Sequence, residues 1–452
     1  MSGSGISNAV AAVLLVIVPT SASPLELETV FGGGDSVERI NVLIMGDGYT
    51  AADQAQLSRD ARRIWGGVVR VSPYAELAGI FSVKLLHVIS KEHDASFGTD
   101  GQRHDTALHS EYGCAGIDRL VCVDERLVSL LAAENDPAHD AVIVIANDHK
   151  YGGSSSGVVS VVSLANDFTV PHEFGHLLGG LADEYETPEN APPCGGSQDC
   201  PEPNVTTITD RETLKWLAWV APSVPVPTPA GKGMTGIGLF DGARHVSHGV
   251  YRPQEKGCLM RDGQRAFCAV CREAIFRRAI GQVPLIQAPD PPIPATVSQD
   301  APCRTTAFSV TLAPVCGGRY STTWTIDGVP AATDTTTLTV PPGTLTPGRH
   351  TVDIAVQFAS DLLRIGGNTL SASGGWVLDI GPSCATSSPS EALASRAPDV
   401  ASSGGIVVNC LTAAAEQAPA ENPTGCSSSG TGALCGGFGA LLIATILRRR
   451  SR

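Results

Sequence analysis

Two histidines four residues apart, His172 and His176, stand in the segment 171–185 (PHEFGHLLGGLADEY), and they restrict the chain more than any other feature. On a helix, side chains at i and i+4 share a face, so both imidazoles can reach one metal ion. Pro171 suits the first turn of such a helix. Glu173 lies beside the pair, placed to take a proton from an attacking water. A catalytic zinc takes three protein ligands and keeps one position open. Asp183 follows His176 by seven residues, so a continued helix would point it the same way but ~10.5 Å farther along the axis, at ~1.5 Å per residue. Two ligands each ~2 Å from one ion cannot lie that far apart. If Asp183 binds, the chain turns back, and Gly179-Gly180 is where it can, because glycine accepts the positive φ of a helix C-cap. Glu184 competes for the third position. Either carboxylate could instead orient a histidine without touching the metal.

Composition narrows the setting. Lys+Arg number 31 against Asp+Glu 45 in 452 residues, a formal net charge of −14, which argues against nucleic acid as a partner. The chain has Cys 13, heavy for a reducing cytosol and ordinary for an exported protein. The apolar run 9–18 (AVAAVLLVIV), followed by Pro19 and small residues, has the length of a signal-peptide core and is too short to span a bilayer. Toward the other end, Cys426-Ser-Ser-Ser-Gly precedes a mostly apolar stretch, 432–447, and then Arg448, Arg449 and Arg450. Such an Arg cluster stays on the cytoplasmic side of a membrane. The three parts together resemble the bacterial tripartite sorting signals of the MYXO-CTERM kind. That resemblance implies processing near Cys426, contact of the tail with the bacterial envelope membrane, and an exported body at the cell surface or released from it.

Between these ends, 39–45, 80–89 and 141–146 read as strands, and 157–164 as an edge strand. Helices are expected from Thr50 to about Val71, with Asp53 in the capping-box position, and over 124–134. Strand–helix alternation implies a mixed α/β sheet. The five prolines within 283–296 mark a linker. Beyond them, short Thr- and Val-rich runs at 307–312, 321–326, 336–340, 350–356 and 375–378 predict a small β-sandwich. The expected organisation is a signal peptide (1–23), a catalytic domain (24–282), a β-sandwich (283–384), a Ser/Ala/Pro-rich stalk (385–425) and the C-terminal segment (426–452).

The motifs HEFGHLLGGLADEY at 172–185, MGDGYT at 45–50, YGG at 151–153, GVYRPQEKGCLMR at 249–261 and FCAVC at 267–271 resemble, in order, the IgA-specific zinc metalloendopeptidases, family sixty-four of the metallopeptidases. More broadly, His-Glu-x-x-His followed by Gly and a third ligand looks like the metzincins. Their spacing would put that ligand at Ala182, and one residue inserted in the Gly179-Gly180 turn moves Asp183 into the role. The resemblance implies an α/β metzincin-like fold, a mixed twisted sheet with an active-site helix. It implies zinc held by His172, His176 and Asp183, Glu173 as base, and Met260 as an apolar floor beneath the metal. The tyrosine that some metzincins carry two residues after that methionine is missing, since position 262 is Asp. Oxyanion stabilisation therefore falls to Tyr251, with His248 and Tyr185 as alternatives.

The expectation is an exported zinc metalloendopeptidase acting on extracellular proteins or peptides. Its rival is a surface adhesion or binding protein with a structural or inactive zinc site. His245 and His248 read as surface histidines. By proximity, the cysteines group as Cys114/Cys122, Cys194/Cys200, Cys303/Cys316 and Cys384/Cys410, and the triplet Cys258, Cys268, Cys271 reads as one disulfide plus a free thiol.

Overall fold

The computed structural model describes residues 25–386 and Ile406, except 35, 156, 163–167, 188–193, 195–198, 232–235 and 264–265. The segments read as signal peptide and C-terminal sorting signal, and nearly all of the stalk, lie outside the described residues. Among the described residues, no helix is long and apolar enough to cross a membrane.

Strands β1 (Leu27–Gly32), β2 (Ile40–Asp47) and β3 (Phe81–Leu86) come first, with helix α1 (Gln54–Val68) between β2 and β3. A short ribbon, β4 (Glu111–Tyr112) with β5 (Val121–Cys122), precedes helix α2 (Glu125–Asn135). Then follow β6 (Ala141–Ala146), β7 (Gly153–Ser155), β8 (Val159–Val162) and helix α3 (Thr169–Gly179). One six-stranded sheet takes the order β1-β3-β2-β6-β8-β7. Its four middle strands are parallel, and β1 and β7 close it antiparallel. Every residue of β2 is buried because both faces of the sheet are covered. Val42 and Ile44 point into the core shared with α1 and α3, while Leu43 and Met45 point to the one shared with Val128 and Ala132 of α2. A mixed α/β sheet is thus what the strand–helix alternation builds.

Two local expectations shift. The strand expected at 157–164 is β8, and it is internal: the chain folds back as a hairpin, so Gly153 pairs with Val161 and Ser155 with Val159, and β7 takes the edge. Helix α1 starts at Gln54 rather than Thr50. Asp53 occupies the cap, and its carboxylate accepts from the Thr50 amide and hydroxyl at 2.8 and 2.6 Å, which holds Thr50 in a turn outside the helix.

After α3 come the hairpin β9 (Phe240–Ala243) and β10 (Val246–Arg252), then α4 (Leu259–Asp262) and α5 (Ala269–Ile280). The remaining strands are β11 (Ile286–Asp290), β12 (Thr296–Gln299), β13 (Thr306–Leu312), β14 (Gly318–Ile326), β15 (Val329–Thr333), β16 (Thr337–Val340), β17 (Gly348–Ser360) and β18 (Thr369–Ile380). They form a three-stranded sheet, β11-β13-β16, facing a five-stranded one, β12-β18-β17-β14-β15. Residues of β17 alternate strictly between buried and exposed, the signature of a sheet with one face on the core. Phe308 of the smaller sheet packs on Trp376 of the larger at 5.2 Å. Strand β11 lies within the proline-rich segment read as a linker; it carries Pro289 and sits at one end of its sheet, where proline's missing N–H is tolerated.

Disulfides join Cys114–Cys122 and Cys194–Cys200 as expected, but Cys303 bonds Cys384, which corrects both pairs drawn from proximity in that region. Strand β12 runs parallel beside β18, Thr296–Gln299 along Val377–Ile380, so the residues that follow the two strands emerge at the same end. Cys316 is also disulfide-bonded, and Cys410 lies outside the described residues. Cys258, Cys268 and Cys271 are all free thiols, so the expected disulfide within the triplet is absent: Cys258 Sγ and Cys271 Sγ stand 3.8 Å apart, against ~2.05 Å for a bond.

Candidate active site

Helix α3 is held by its apolar side. Phe174 is fully buried and meets Trp65, Tyr74 and Phe81 with ring centroids 5.9, 5.5 and 6.1 Å away. The opposite side carries His172 and, one turn on, His176; His172 lines a cleft of about 190 Å³ together with Glu173, Arg119, Tyr151 and Tyr185. A larger hollow, about 760 Å³, lies among Glu92, Arg103, His104 and Asp124. Its charges are taken up in pairs such as His104–Asp100 and Arg103–Glu111, so size does not identify the site.

The helix stops at Gly180, whose φ of 60° is left-handed. Gly180 N–H donates to His176 O, and Leu181 N–H to Gly175 O, closing the orphan carbonyls as such a cap does. Leu181 O then accepts from His176 Nδ1 at 2.7 Å, and Leu259 O accepts from His172 Nδ1 at 3.0 Å. Carbonyls only accept, so both Nδ1 atoms carry the proton and both Nε2 lone pairs are left to converge. The two Nε2 atoms are 3.3 Å apart. The chain returns as the glycine turn allows: Asp183 Oδ1 lies 3.1 Å from His172 Nε2 and 3.5 Å from His176 Nε2. That oxygen is buried and accepts no hydrogen bond. Ligands ~2.05 Å from a tetrahedral ion stand ~3.3 Å from one another, the separation found among these three donors. Donors this close repel one another unless a proton or a metal cation lies among them, so the residues fit a metal.

Asp183 and Glu184 are neighbours in an extended segment, where successive side chains face opposite ways. Glu184 therefore points away from the histidines. It meets Cys271 Sγ at 3.0 Å and Asn204 Nδ2 at 3.1 Å. Two residues that the sequence reading gave little or no weight hold this segment. Asn204, fully buried, bonds both the amide and the carbonyl of Ala182 at 2.8 Å. His245 places Nε2 3.3 Å from Asp183 Oδ2 and packs edge-on to Tyr185. His245 lies on the 243–246 turn, whose backbone pairs with 183–186: Arg244 N–H donates to Asp183 O, and His245 N–H to Tyr185 O. No local pattern announces either residue, because each acts across a long gap in sequence.

The electrostatics follow from this enclosure. Burial disfavours the charged form of Asp183, but His172, His176 and His245 overcome it and hold the carboxyl well below the usual carboxylate range. Burial likewise opposes protonation of His176, yet Asp183 outweighs it and pushes the imidazole up to about 9. Glu173 is raised above its ordinary value, first by burial, with both histidines and Arg119 offsetting part of the effect. Met260 is fully buried, and its sulfur would stand 3.3 Å from a Cβ placed at Gly175, so it lies directly under α3. The structure does not bring Tyr251 into the cleft: its backbone pairs with Thr206 and it is not among the lining residues. His248 is turned to Asp241 at 2.9 Å. Of the tyrosines weighed from sequence, only Tyr185 lines the cleft, its hydroxyl accepting from Arg119 Nη2 at 3.3 Å.

A family model described as IgA Peptidase M64 matches residues 29–235. Those residues belong to the IgA Peptidase M64 family. The matched stretch contains His172, Glu173, His176 and Asp183, so the chain carries a peptidase domain; it stops before Met260 and the cysteine triplet. No curated protein matches the sequence.

The turn itself is testable. An L side chain at a left-handed position costs ~1–2 kcal/mol, less for asparagine. Gly180→Ala is expected to lower stability by at least that amount, since a Cβ there also displaces the Arg278 guanidinium, and to speed metal loss to a competing chelator; Gly180→Asn, which relieves the backbone part alone, should lose less. Equal retention in both variants would show that the cap does not set the position of Asp183.

Proposed function

We propose that this chain is an exported zinc metalloendopeptidase that cleaves extracellular proteins or peptides, with His172, His176 and Asp183 as metal ligands and Glu173 as the general base. The observation that carries the reading is the convergence of two imidazole nitrogens and one unsatisfied carboxylate oxygen, 3.1–3.5 Å apart, beside a cleft lined by His172 and Glu173. Zinc suits this nitrogen and oxygen set, and when bound it would supply Lewis acidity to the scissile carbonyl and to the attacking water. Glu173 takes a proton from that water and passes it to the leaving amine. Tyr185, with Arg119 behind it, is positioned to donate to the developing oxyanion. Burial, with Asp183 nearby, raises its phenol pKa, so it stays a donor at neutral pH. The disulfides support an oxidising, extracellular setting. The test is cleavage of an unstructured protein by the purified chain, abolished by a chelator and restored by zinc. Zinc-loaded protein that cleaves nothing would favour a binding protein with an inert site.

The raised carboxyl of Glu173 also sets a pH dependence. A base acts only when deprotonated, so cleavage is expected to fall as pH drops through this raised value. Arg119 is one of the charges lowering it. Arg119→Met should therefore move the acid limb of kcat/KM to higher pH; a limb that stays in place would remove Arg119 from the electrostatics of the base.

A further inference from the structure

We propose that Cys258, Cys268, Cys271 and Glu184 form a separate, structural metal site suited to zinc, which clamps the Asp183 segment onto the turn that carries Met260.

All four residues are buried, Glu184, Cys258 and Cys271 completely, and their donor atoms lie within 4.8 Å of one another. The 3.8 Å between Cys258 Sγ and Cys271 Sγ is too long for a disulfide and equals the edge of a tetrahedron with ~2.3 Å zinc–sulfur bonds, ~3.8 Å. Cys268 and Cys271 have the Cys-x-x-Cys spacing of metal-binding knuckles and sit at the start of α5. There the backbone is turned toward the sulfurs: Cys271 N–H donates to Cys268 Sγ at 3.5 Å, and Cys268 N–H to Cys258 Sγ at 3.3 Å. Amide donors of this kind stabilise thiolates.

The fourth donor points independently to a cation. Glu184 Oε1 meets Cys271 Sγ and Asn204 Nδ2, but Oε2 is buried without any hydrogen-bond partner. A buried carboxyl oxygen left unsatisfied is costly unless a cation coordinates it. Three thiolates and one carboxylate close a four-coordinate shell, which leaves no position for substrate and marks the site as structural. The remaining described cysteines are disulfide-bonded. These three stay reduced, as bound thiolates do.

The location explains what such a metal would achieve. Glu184 directly follows Asp183, and its N–H donates to Met260 O at 2.7 Å. Cys258 directly precedes Leu259, whose carbonyl orients His172. One ion would thus fix two backbone segments that place two of the three proposed catalytic ligands. The site stands on its own residues and survives even if the chain cleaves nothing.

The test is metal content and cobalt spectroscopy on the full chain, purified without added reductant. Wild type should hold two zinc ions per chain, and His176→Ala only one. Cys258, Cys268 and Cys271 should react with a thiol reagent only after denaturation with chelator. Cobalt(II) exchanged into wild type should give the near-ultraviolet thiolate charge-transfer absorption, which His176→Ala keeps and Glu184→Gln weakens or shifts. Cys268→Ser should lose it; if that variant fails to fold, the wild-type spectrum decides alone. A disulfide among the three cysteines, or cobalt-loaded wild type with no thiolate band, would overturn the proposal.

Discussion

Replacing Glu173 by glutamine is expected to lower peptide cleavage by ~10²–10⁴-fold, the range that a positioned acid–base group contributes. Metal content and melting temperature should stay at wild-type values. Glutamine keeps the size and shape of the side chain between α3 and β7, where Glu173 Oε1 would lie 3.5 Å from a Cβ on Gly153, but it cannot accept a proton at neutral pH. The proposed metal-ligating atoms belong to other residues, so binding of the ion should survive. Separating the two readouts matters, because His176→Ala would abolish cleavage through loss of metal and say nothing about the base. Full activity in Glu173→Gln would place the base elsewhere and dismantle the mechanism.

The largest effect on stability is expected far from the cleft, at Glu273. This carboxylate on α5 is fully buried. It accepts from Arg277 Nε at 2.8 Å, from the amides of Arg364 and Ile365 at 2.9 and 2.8 Å, and from the Trp219 indole. Residues 364–365 belong to the β17–β18 connection, and Arg364 stacks over Trp219 at 4.3 Å. One side chain therefore ties the end of the peptidase region to the sandwich, beside the Phe276–Phe358 stack. Glu273→Ala removes four acceptor contacts and leaves two amides, an indole N–H and the half-buried Arg277 guanidinium without this partner. Breaking a buried charged network in this way costs ~3–5 kcal/mol, and Glu273→Gln should lose less because its carbonyl still accepts. Denaturant unfolding of both variants checks this; an unchanged midpoint for Glu273→Ala would mean that the two regions are held by apolar contact alone.

Much of the peptidase region could be read without coordinates. The run 141–146 is continuous and apolar because both faces of its strand are covered, and it became a strand with the expected bounds, whereas the strands expected at 39–45 and 80–89 run over Ile40–Asp47 and Phe81–Leu86. The i, i+4 histidines needed a helix, and a ligand seven residues on needed that helix to stop, which left the double glycine as the turning point. These are short-range demands of backbone geometry, and they are written in adjacent residues. The edge strand was misplaced because hairpin pairing, not the composition of 157–164, decides which strand is outermost. The pairing of Cys303 with Cys384 was missed because proximity along the chain says nothing about which strand ends coincide.

The local sequence by itself determined the helix that carries His172 and His176, its glycine stop and the place of Glu173 beside the two histidines, since each follows from spacing over a dozen residues and the allowed φ of glycine. Only the tertiary structure set Asp183, and not Glu184, against the histidines. An extended segment turns consecutive side chains to opposite faces, and packing against Asn204, His245 and the three cysteines chose which face meets the histidines. It also showed a fourth donor for the cysteine triplet, because a carboxylate some seventy residues upstream reaches those sulfurs only once the chain has folded back over α5.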